Sequence, residues 1–380
     1  MESQTQNKSV ALIVGVTGMV GISLAEALNN PTTLGSPWKV YGVARRPKPT
    51  WFPSSSLHRY ISLDVCNLDE TYHHLSSISN EVTHVFWVAL HAGETEEINV
   101  SVNSLMLNNV LKVLTLSPTS PLKHVALQTG TKHYMGPIEG VIPANQIVPA
   151  VDPPFHEESA RLPGPNFYYA LEDILISYTP KFTWSVHRSS IIIGASSRTI
   201  YNTLLTLAVY ATICRYEGTP FRYPGSRFTW EHFCDMVDSG LLADQQIWAS
   251  VLSDKAKNQA FNCSNGDVFM WKNLWKFLCD EVFDVKYEPL DDEIEFDFVG
   301  EMKKKGSVWD EIVEKNGLEK TKIEEITCPG ALKAVLSFGF QHVCSMSKSR
   351  EYGFFGYVDT YKSIRMWVDR LREMKIIPTI

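Results

Sequence analysis

Ala11-Leu12-Ile13-Val14-Gly15-Val16-Thr17-Gly18-Met19-Val20-Gly21 is the stretch on which the reading of this chain turns. An apolar run with β-branched residues leads into three glycines spaced G-x-x-G-x-x-G, and then into the apolar periodicity of a helix. Each glycine answers a geometric demand. Gly15 permits a tight turn off the strand, Gly18 leaves room for backbone to approach a pyrophosphate, and Gly21 lets the helix lie close against the strand. The free N–H groups and dipole of the helix start then favour an anion there. A glycine triplet alone is a weak signal. Between a strand and a helix, in an alternating chain, it is a specific one for a dinucleotide.

The pattern continues outward from this loop. Residues 10–14 read as a strand and 22–28 as a helix; 40–43, 82–90 and 124–127 read as further strands, with helical spacing over 99–116. Residues 184–187 read as one more strand, with 190–193 as its exit loop. Alternation of this kind predicts an α/β chain with a doubly wound parallel sheet of Rossmann type and right-handed crossovers. After Gly194 the texture turns helical and aromatic, as in residues 269–277 and 361–374, and 288–305 reads as a solvated lid or loop. The expected division is a dinucleotide-binding domain over 1–194 and a smaller, mainly helical substrate-binding part over 195–380, partly interleaved with it.

Composition narrows the function. With 380 residues, 44% of them hydrophobic, the chain has ample material for a core, and a net charge of −7 disfavours nucleic acid as a partner. The seven cysteines form no C-x-x-C pair, so reduced thiols are expected and neither a disulfide framework nor a metal site. A nucleophile at Cys66 or Cys234 has no motif to support it and is set aside. No signal-peptide pattern is visible, and the longest apolar run, 204–214, is shorter than the roughly 20 residues of a membrane span. It reads as a buried helix, no membrane association is expected, and the cytoplasm is the expected compartment.

The second strand runs into Val43-Ala44-Arg45-Arg46-Pro47. NAD enzymes of this fold place a carboxylate here for the ribose 2′-hydroxyl, whereas two guanidiniums suit a 2′-phosphate, so NADP(H) is the expected cofactor. Asp64 and Val65, after the third strand, suit an adenine contact. The usual catalytic motif of such enzymes, Tyr-x-x-x-Lys on one helix, sets an ammonium beside a phenol and lowers its pKa. It is missing: four residues after Tyr168 stands Glu172, and four after Tyr169 stands Asp173. Lys132, at the end of an earlier strand, is positioned to restore a Tyr168/Lys132 pair from a different element, because strand ends in this fold face the ligand crevice. His133 and His187 read as structural, and Trp271 and Trp275, four apart, as core.

Several stretches together carry a resemblance: Gly-Thr-Lys-His-Tyr-Met-Gly-Pro (130–137), Asn-Phe-Tyr-Tyr-x-x-Glu-Asp (166–173), Trp-Ser-Val-His-Arg (184–188), Phe-Asn-x-Ser-Asn-Gly-Asp-Val-Phe (261–269), and Trp-Lys-Val-Tyr-Gly-Val-Ala-Arg-Arg (38–46). They resemble the plant progesterone 5β-reductase/iridoid synthase family, atypical extended short-chain dehydrogenase/reductases, over nearly the whole chain. The resemblance implies NADPH-dependent 1,4-reduction of the C=C bond of a small enone or enal, with Tyr168 donating to the carbonyl oxygen and Lys132 supporting the enolate charge. Carried over residue by residue, it implies cofactor contacts at Gly15, Thr17, Gly18, Met19, Val20, Gly21, Arg45, Arg46, Asp64, Val65, Ala89, Leu90, Gln128, Tyr168, Ile192, Thr199, Ile200 and Tyr201, and it leaves a homodimer open.

The chain also departs from the family. Ile138 and Val141 stand at pocket positions where the family has aromatic residues, residues 138–165 read as a lengthened proline-rich loop, and Arg188-Ser189-Ser190 replaces Arg-Pro-Gly. The last change removes a proline restraint from the loop near the nicotinamide. Two other readings remain in view: a carbonyl dehydrogenase or nucleotide-sugar epimerase on the same fold, and a non-catalytic NADPH-binding regulator.

Overall fold

Residues 9–53, 55–136, 151–252, 254–291 and 296–379 are described by a computed structural model. The strand expected before the glycine loop is β1 (Ser9–Val14), and the helix after it is α1 (Met19–Asn29). There follow β2 (Trp38–Ala44), β3 (Arg59–Ser62), α2 (Leu68–Leu75), β4 (His84–Trp87), α3 (Glu96–Leu114), β5 (His124–Gly130), α4 (Lys132–Met135), α5 (Phe167–Ser177) and β6 (Thr183–Ser189). The main sheet runs in the order Gln259–Cys263, β6, β5, β4, β1, β2, β3, and every pairing is parallel. This is a Rossmann sheet. Its order reverses between β1 and β4, so a crevice opens at the carboxyl ends of those two strands. Leu12, Ile13, Val85 and Val125 are fully buried, as near-continuous apolar runs must be when both faces of a parallel sheet are covered.

Two expectations are corrected, and the expected interleaving takes a definite form. Residues 190–193 are not only an exit loop: Ile191–Ile193 is a short strand pairing in parallel with Met236–Asp238. The seventh strand of the main sheet, Gln259–Cys263, lies far along the chain in the stretch read as mainly helical. With it, the helix Ser239–Val251 comes back to cover the sheet beside α1. Nor is 288–305 a solvated lid throughout. Tyr287–Glu288 pairs with Phe221–Arg222, and a helix at Phe298–Lys303 buries Phe298 and Met302; residues 292–295 lie outside the described residues.

The apolar run 204–214 is buried in the helix α6 (Thr203–Glu217). Trp271 and Trp275 are fully buried, with Trp275 stacked on Phe221 at 4.2 Å between ring centroids. His187 is buried between Ser185 and Gln245, and burial brings its pKa down to about 4, a neutral structural histidine. All seven cysteines are free, and burial pushes the thiols of Cys66 and Cys234 up, away from nucleophilic character. No helix among the described residues is long and apolar enough to cross a membrane.

Candidate active site

The glycine loop has the geometry its spacing implies. Gly15 takes φ +97°, and a Cβ there would meet the Ala89 backbone nitrogen at 2.7 Å. A Cβ on Gly21 would run into the Gly15 carbonyl, so helix and loop can meet only because both positions are glycine. The loop is pinned from below, where the Gly15 and Val16 amides donate to Val43 O at 2.9 and 3.1 Å. It is pinned from the side as well. Thr199 Oγ1 accepts from the Met19 amide at 3.0 Å, and Ser196 Oγ donates to Thr17 O at 2.7 Å. Gly15→Ala is expected to cost at least about 2 kcal/mol of stability, from a strained φ plus the clash with Ala89, read as a lowered urea midpoint.

Arg45 and Arg46 follow β2 directly and are exposed. Burial, then the Arg198 and Arg45 guanidiniums, hold Arg46 below its ordinary pKa. Arg198 is therefore a third cation at this corner, one the sequence reading missed, because its loop is more than 150 positions away. Its neighbours fix it there: Trp51 Nε1 donates to Ser197 Oγ at 3.1 Å, and Thr199 bonds α1. None of the three arginines has a carboxylate partner among the described residues. Asp64 turns its carboxylate on its own chain, accepting from the Cys66 amide at 3.0 Å, while Val65 O accepts from Asn109 at 2.9 Å. Ala89 and Leu90 lie at the end of β4, half-buried, and Ile192 lies within the short strand described above. Gln128, on β5, has a buried side-chain oxygen with no partner among the described residues. An unpaired buried acceptor, three clustered arginines and a glycine-lined helix start fit a dinucleotide.

Tyr168 and Lys132 come from separate elements, and those elements are tied together through Glu96, a residue the sequence reading did not single out. Glu96 begins α3 behind the N-cap Thr95 and is buried. One carboxylate oxygen forms an ion pair with Lys132 Nζ; the other accepts from the Phe167 amide at 2.8 Å. Asn166 caps α5 by accepting from the Tyr168 amide at 3.0 Å, and its side-chain nitrogen donates to Lys132 O at 3.2 Å. The Tyr168 hydroxyl lies against the end of β5, 3.2 Å from where a Cβ on Gly130 would sit, and it has no partner among the described residues. Burial first, then the Glu96 charge and Tyr201, push this phenol well above its ordinary pKa. Tyr169, its neighbour, is committed elsewhere: its hydroxyl donates to His133 O at 2.6 Å and accepts from the Leu162 amide at 3.0 Å. Ile200 and Tyr201 border the same region and are partly exposed, whereas Ile138 and Val141 lie outside the described residues.

Glu172 stands where a usual Tyr-x-x-x-Lys helix carries its lysine, and it has a structural task. The buried Arg188 donates to both its carboxylate oxygens, at 3.1 and 3.3 Å, tying α5 to β6. Burial opposes its ionisation, but His133 and Arg188 outweigh that and hold the carboxyl below its ordinary pKa. Glu172→Gln should cost about 3 kcal/mol at neutral pH, because Arg188 is left buried and unpaired. A depressed folded pKa stabilises fully above the unfolded value and fades as pH falls through the folded one. The gap between wild type and variant therefore narrows below the ordinary glutamate value of 4.5, which denaturant titrations at several pH values check. The loop after β6 is not slack despite its missing proline. Ser189 Oγ donates to Thr129 O at 2.9 Å and Ser190 Oγ to Asp235 Oδ1 at 2.6 Å.

A wholly parallel seven-stranded sheet, with a G-x-x-G-x-x-G loop at its switch point, defines an extended short-chain dehydrogenase/reductase fold. The chain belongs to the PRISE-like Rossmann-fold family, whose profile matches residues 11–378. It is 44% identical over 375 residues to a 3-oxo-Δ4,5-steroid 5β-reductase of Arabidopsis thaliana, covering 98% of this chain and 94% of the relative. It is likewise 44% identical over 374 residues to an (S)-8-oxocitronellyl enol synthase of Catharanthus roseus, covering 98% and 93%. Among solved structures, the UDP-glucose 4-epimerase of Thermus thermophilus in complex with NAD superposes with a TM-score of 0.61, covering 96% of this chain and 99% of the other. At 14% identity it speaks to the fold alone.

Proposed function

We propose that this protein is an NADPH-dependent oxidoreductase that reduces the C=C bond of small α,β-unsaturated carbonyl compounds. The observation that carries the reading is the Tyr168 phenol, free of described partners and kept neutral beside Gly130 at the carboxyl end of β5. When bound, NADPH supplies a hydride to the β-carbon of the substrate. The electron pair of the C=C bond then moves toward the carbonyl oxygen, which becomes an enolate, and a solvent proton completes the α-carbon. Tyr168 donates a hydrogen bond to that oxygen as its charge develops, so it binds the transition state more tightly than the ground state. Lys132, whose ammonium is held by Glu96, would support the enolate charge. The amides at the start of α1 would hold the pyrophosphate, and Arg45 and Arg46, joined by Arg198, would hold the 2′-phosphate.

An alcohol dehydrogenase or epimerase fits less well. Those reactions need a base, and the position that would supply an i+4 lysine holds Glu172 in a buried ion pair. Purified protein should consume NADPH with at least one of progesterone, 8-oxogeranial, 2-cyclohexenone and methyl vinyl ketone, and the product should retain its carbonyl. Turnover only of an alcohol or a UDP-sugar would replace this reading with the alternative.

A further inference from the structure

We propose that His342 is a positioning residue for the reduction: held against Asp235, it fixes Thr131, and with it the turn that carries Lys132. The inference rests on the reading of Lys132 as the support of the enolate charge. Lys132 is the first residue of α4, a helix of only four residues, and Thr131 is its N-cap. A helix that short has almost no rigidity of its own, so its orientation is set by what it is bonded to. Two hydrogen bonds carry Thr131 beyond its own turn. Its amide donates to Ser189 O at 3.1 Å, at the end of β6. Its hydroxyl lies 2.8 Å from Nε2 of His342, 211 residues further along the chain.

The imidazole is itself held. Its Nδ1 faces Asp235 Oδ1 at 3.2 Å, off the line of a good hydrogen bond. Both oxygens of Asp235 already accept, Oδ1 from the Ser190 hydroxyl at 2.6 Å and Oδ2 from the Cys344 amide at 2.7 Å. A ring lone pair turned on that carboxylate would be repelled, so Nδ1 carries a proton, and in the neutral ring Nε2 accepts from the Thr131 hydroxyl. The rings of Phe155 and Phe338 pack against the imidazole at 5.7 and 5.6 Å between centroids. The backbone around it is bonded on both sides: the Asp235 amide donates to His342 O at 2.9 Å, and the Phe155 amide to Val343 O at 2.8 Å. Thr131, His342 and Asp235 are all buried.

A string of polar groups thus runs from Ser190, just after β6, through Asp235 and His342 to Thr131, just before Lys132. On its other side the turn is bonded to α3 and α5, where Lys132 Nζ pairs with Glu96 and the Asn166 side chain donates to Lys132 O at 3.2 Å. Lys132 therefore sits between one anchor from the nucleotide half and one from the C-terminal part. Without the second, the turn can pivot on the first, and a group misplaced by about 1 Å can cost about 100-fold in rate.

The test is single-turnover reduction by the full-length protein with NADPH and whichever of progesterone, 8-oxogeranial, 2-cyclohexenone and methyl vinyl ketone the wild type reduces fastest. Thr131→Val keeps the shape of the side chain and removes the hydroxyl. It should slow the chemical step by about tenfold or more and leave the NADPH dissociation constant unchanged, and Thr131→Ser should restore the rate. His342→Phe keeps a ring against Phe155 and Phe338 and leaves Asp235 bonded to Ser190 and Cys344; it should lose as much as Thr131→Val, with no further loss in the double variant. In a Lys132→Met background, Thr131→Val should have no effect, because no ammonium is left to place; a general loosening of the fold would slow both backgrounds alike. A wild-type rate in Thr131→Val, a loss confined to NADPH affinity, or an equal further loss on Lys132→Met would overturn the proposal. Should His342→Phe not fold, Thr131→Val, its serine rescue and the Lys132→Met background decide the matter without it. Lys132→Met as fast as wild type would instead remove the reading of Lys132 on which the proposal stands.

Discussion

Tyr168→Phe should lower kcat for enone reduction by about 10²- to 10³-fold while leaving NADPH affinity nearly unchanged. The substitution removes one hydroxyl from an otherwise unaltered ring. The packing of that ring against Phe167, at 4.3 Å between centroids, is kept, as is the amide bond that caps α5. What is lost is the donor aimed at the oxygen on which negative charge develops, worth about 3–4 kcal/mol of barrier in a preorganised site. The phenol is held well above its ordinary pKa, so activity should show no limb from Tyr168 ionisation below about pH 10. Stopped-flow single turnovers with NADPH, read separately from a fluorescence titration of NADPH, divide chemistry from binding. Equal single-turnover rates in variant and wild type would refute the role of Tyr168.

The second large effect concerns the choice of cofactor. Arg45→Ala together with Arg46→Ala should weaken NADPH by about 100-fold and NADH hardly at all, since two charge-assisted contacts of about 1.5 kcal/mol each are lost from the 2′-phosphate alone. Their side chains have no carboxylate partners among the described residues, so the double variant leaves no buried charge unpaired and should fold normally. Fluorescence titrations with both dinucleotides give the ratio. An unchanged preference for NADPH would assign the 2′-phosphate elsewhere, with Arg198 the remaining cation at that corner.

Much of the nucleotide half is legible in the order of residues alone. The glycine loop can be read because its constraint is local: φ at Gly15 and the closeness of Gly21 to the preceding turn depend on residues a few positions apart. The alternation of apolar strands and amphipathic helices announces the parallel sheet for the same reason, and Arg45-Arg46 can be placed because they follow directly on β2. The seventh strand escapes because Gln259–Cys263 is five residues long and comes after a wholly different texture. Nothing local marks it as the partner of β6.

Residue order was thus enough for the nucleotide-binding fold, its phosphate loop, the two arginines, and the absence of a lysine four residues beyond either tyrosine. It was not enough to show which tyrosine is available; Tyr169 is recognised as structural only by its bonds to His133 and Leu162. Nor could it explain why Glu172 stands in the lysine's place, a matter settled by Arg188 on the neighbouring strand. What Lys132 faces is likewise a product of the packed chain: Glu96, brought across from the start of α3. One cause underlies all three. Backbone conformation is set within a few residues, but the protonation state and freedom of a buried side chain are set by whichever charges and donors the fold places beside it.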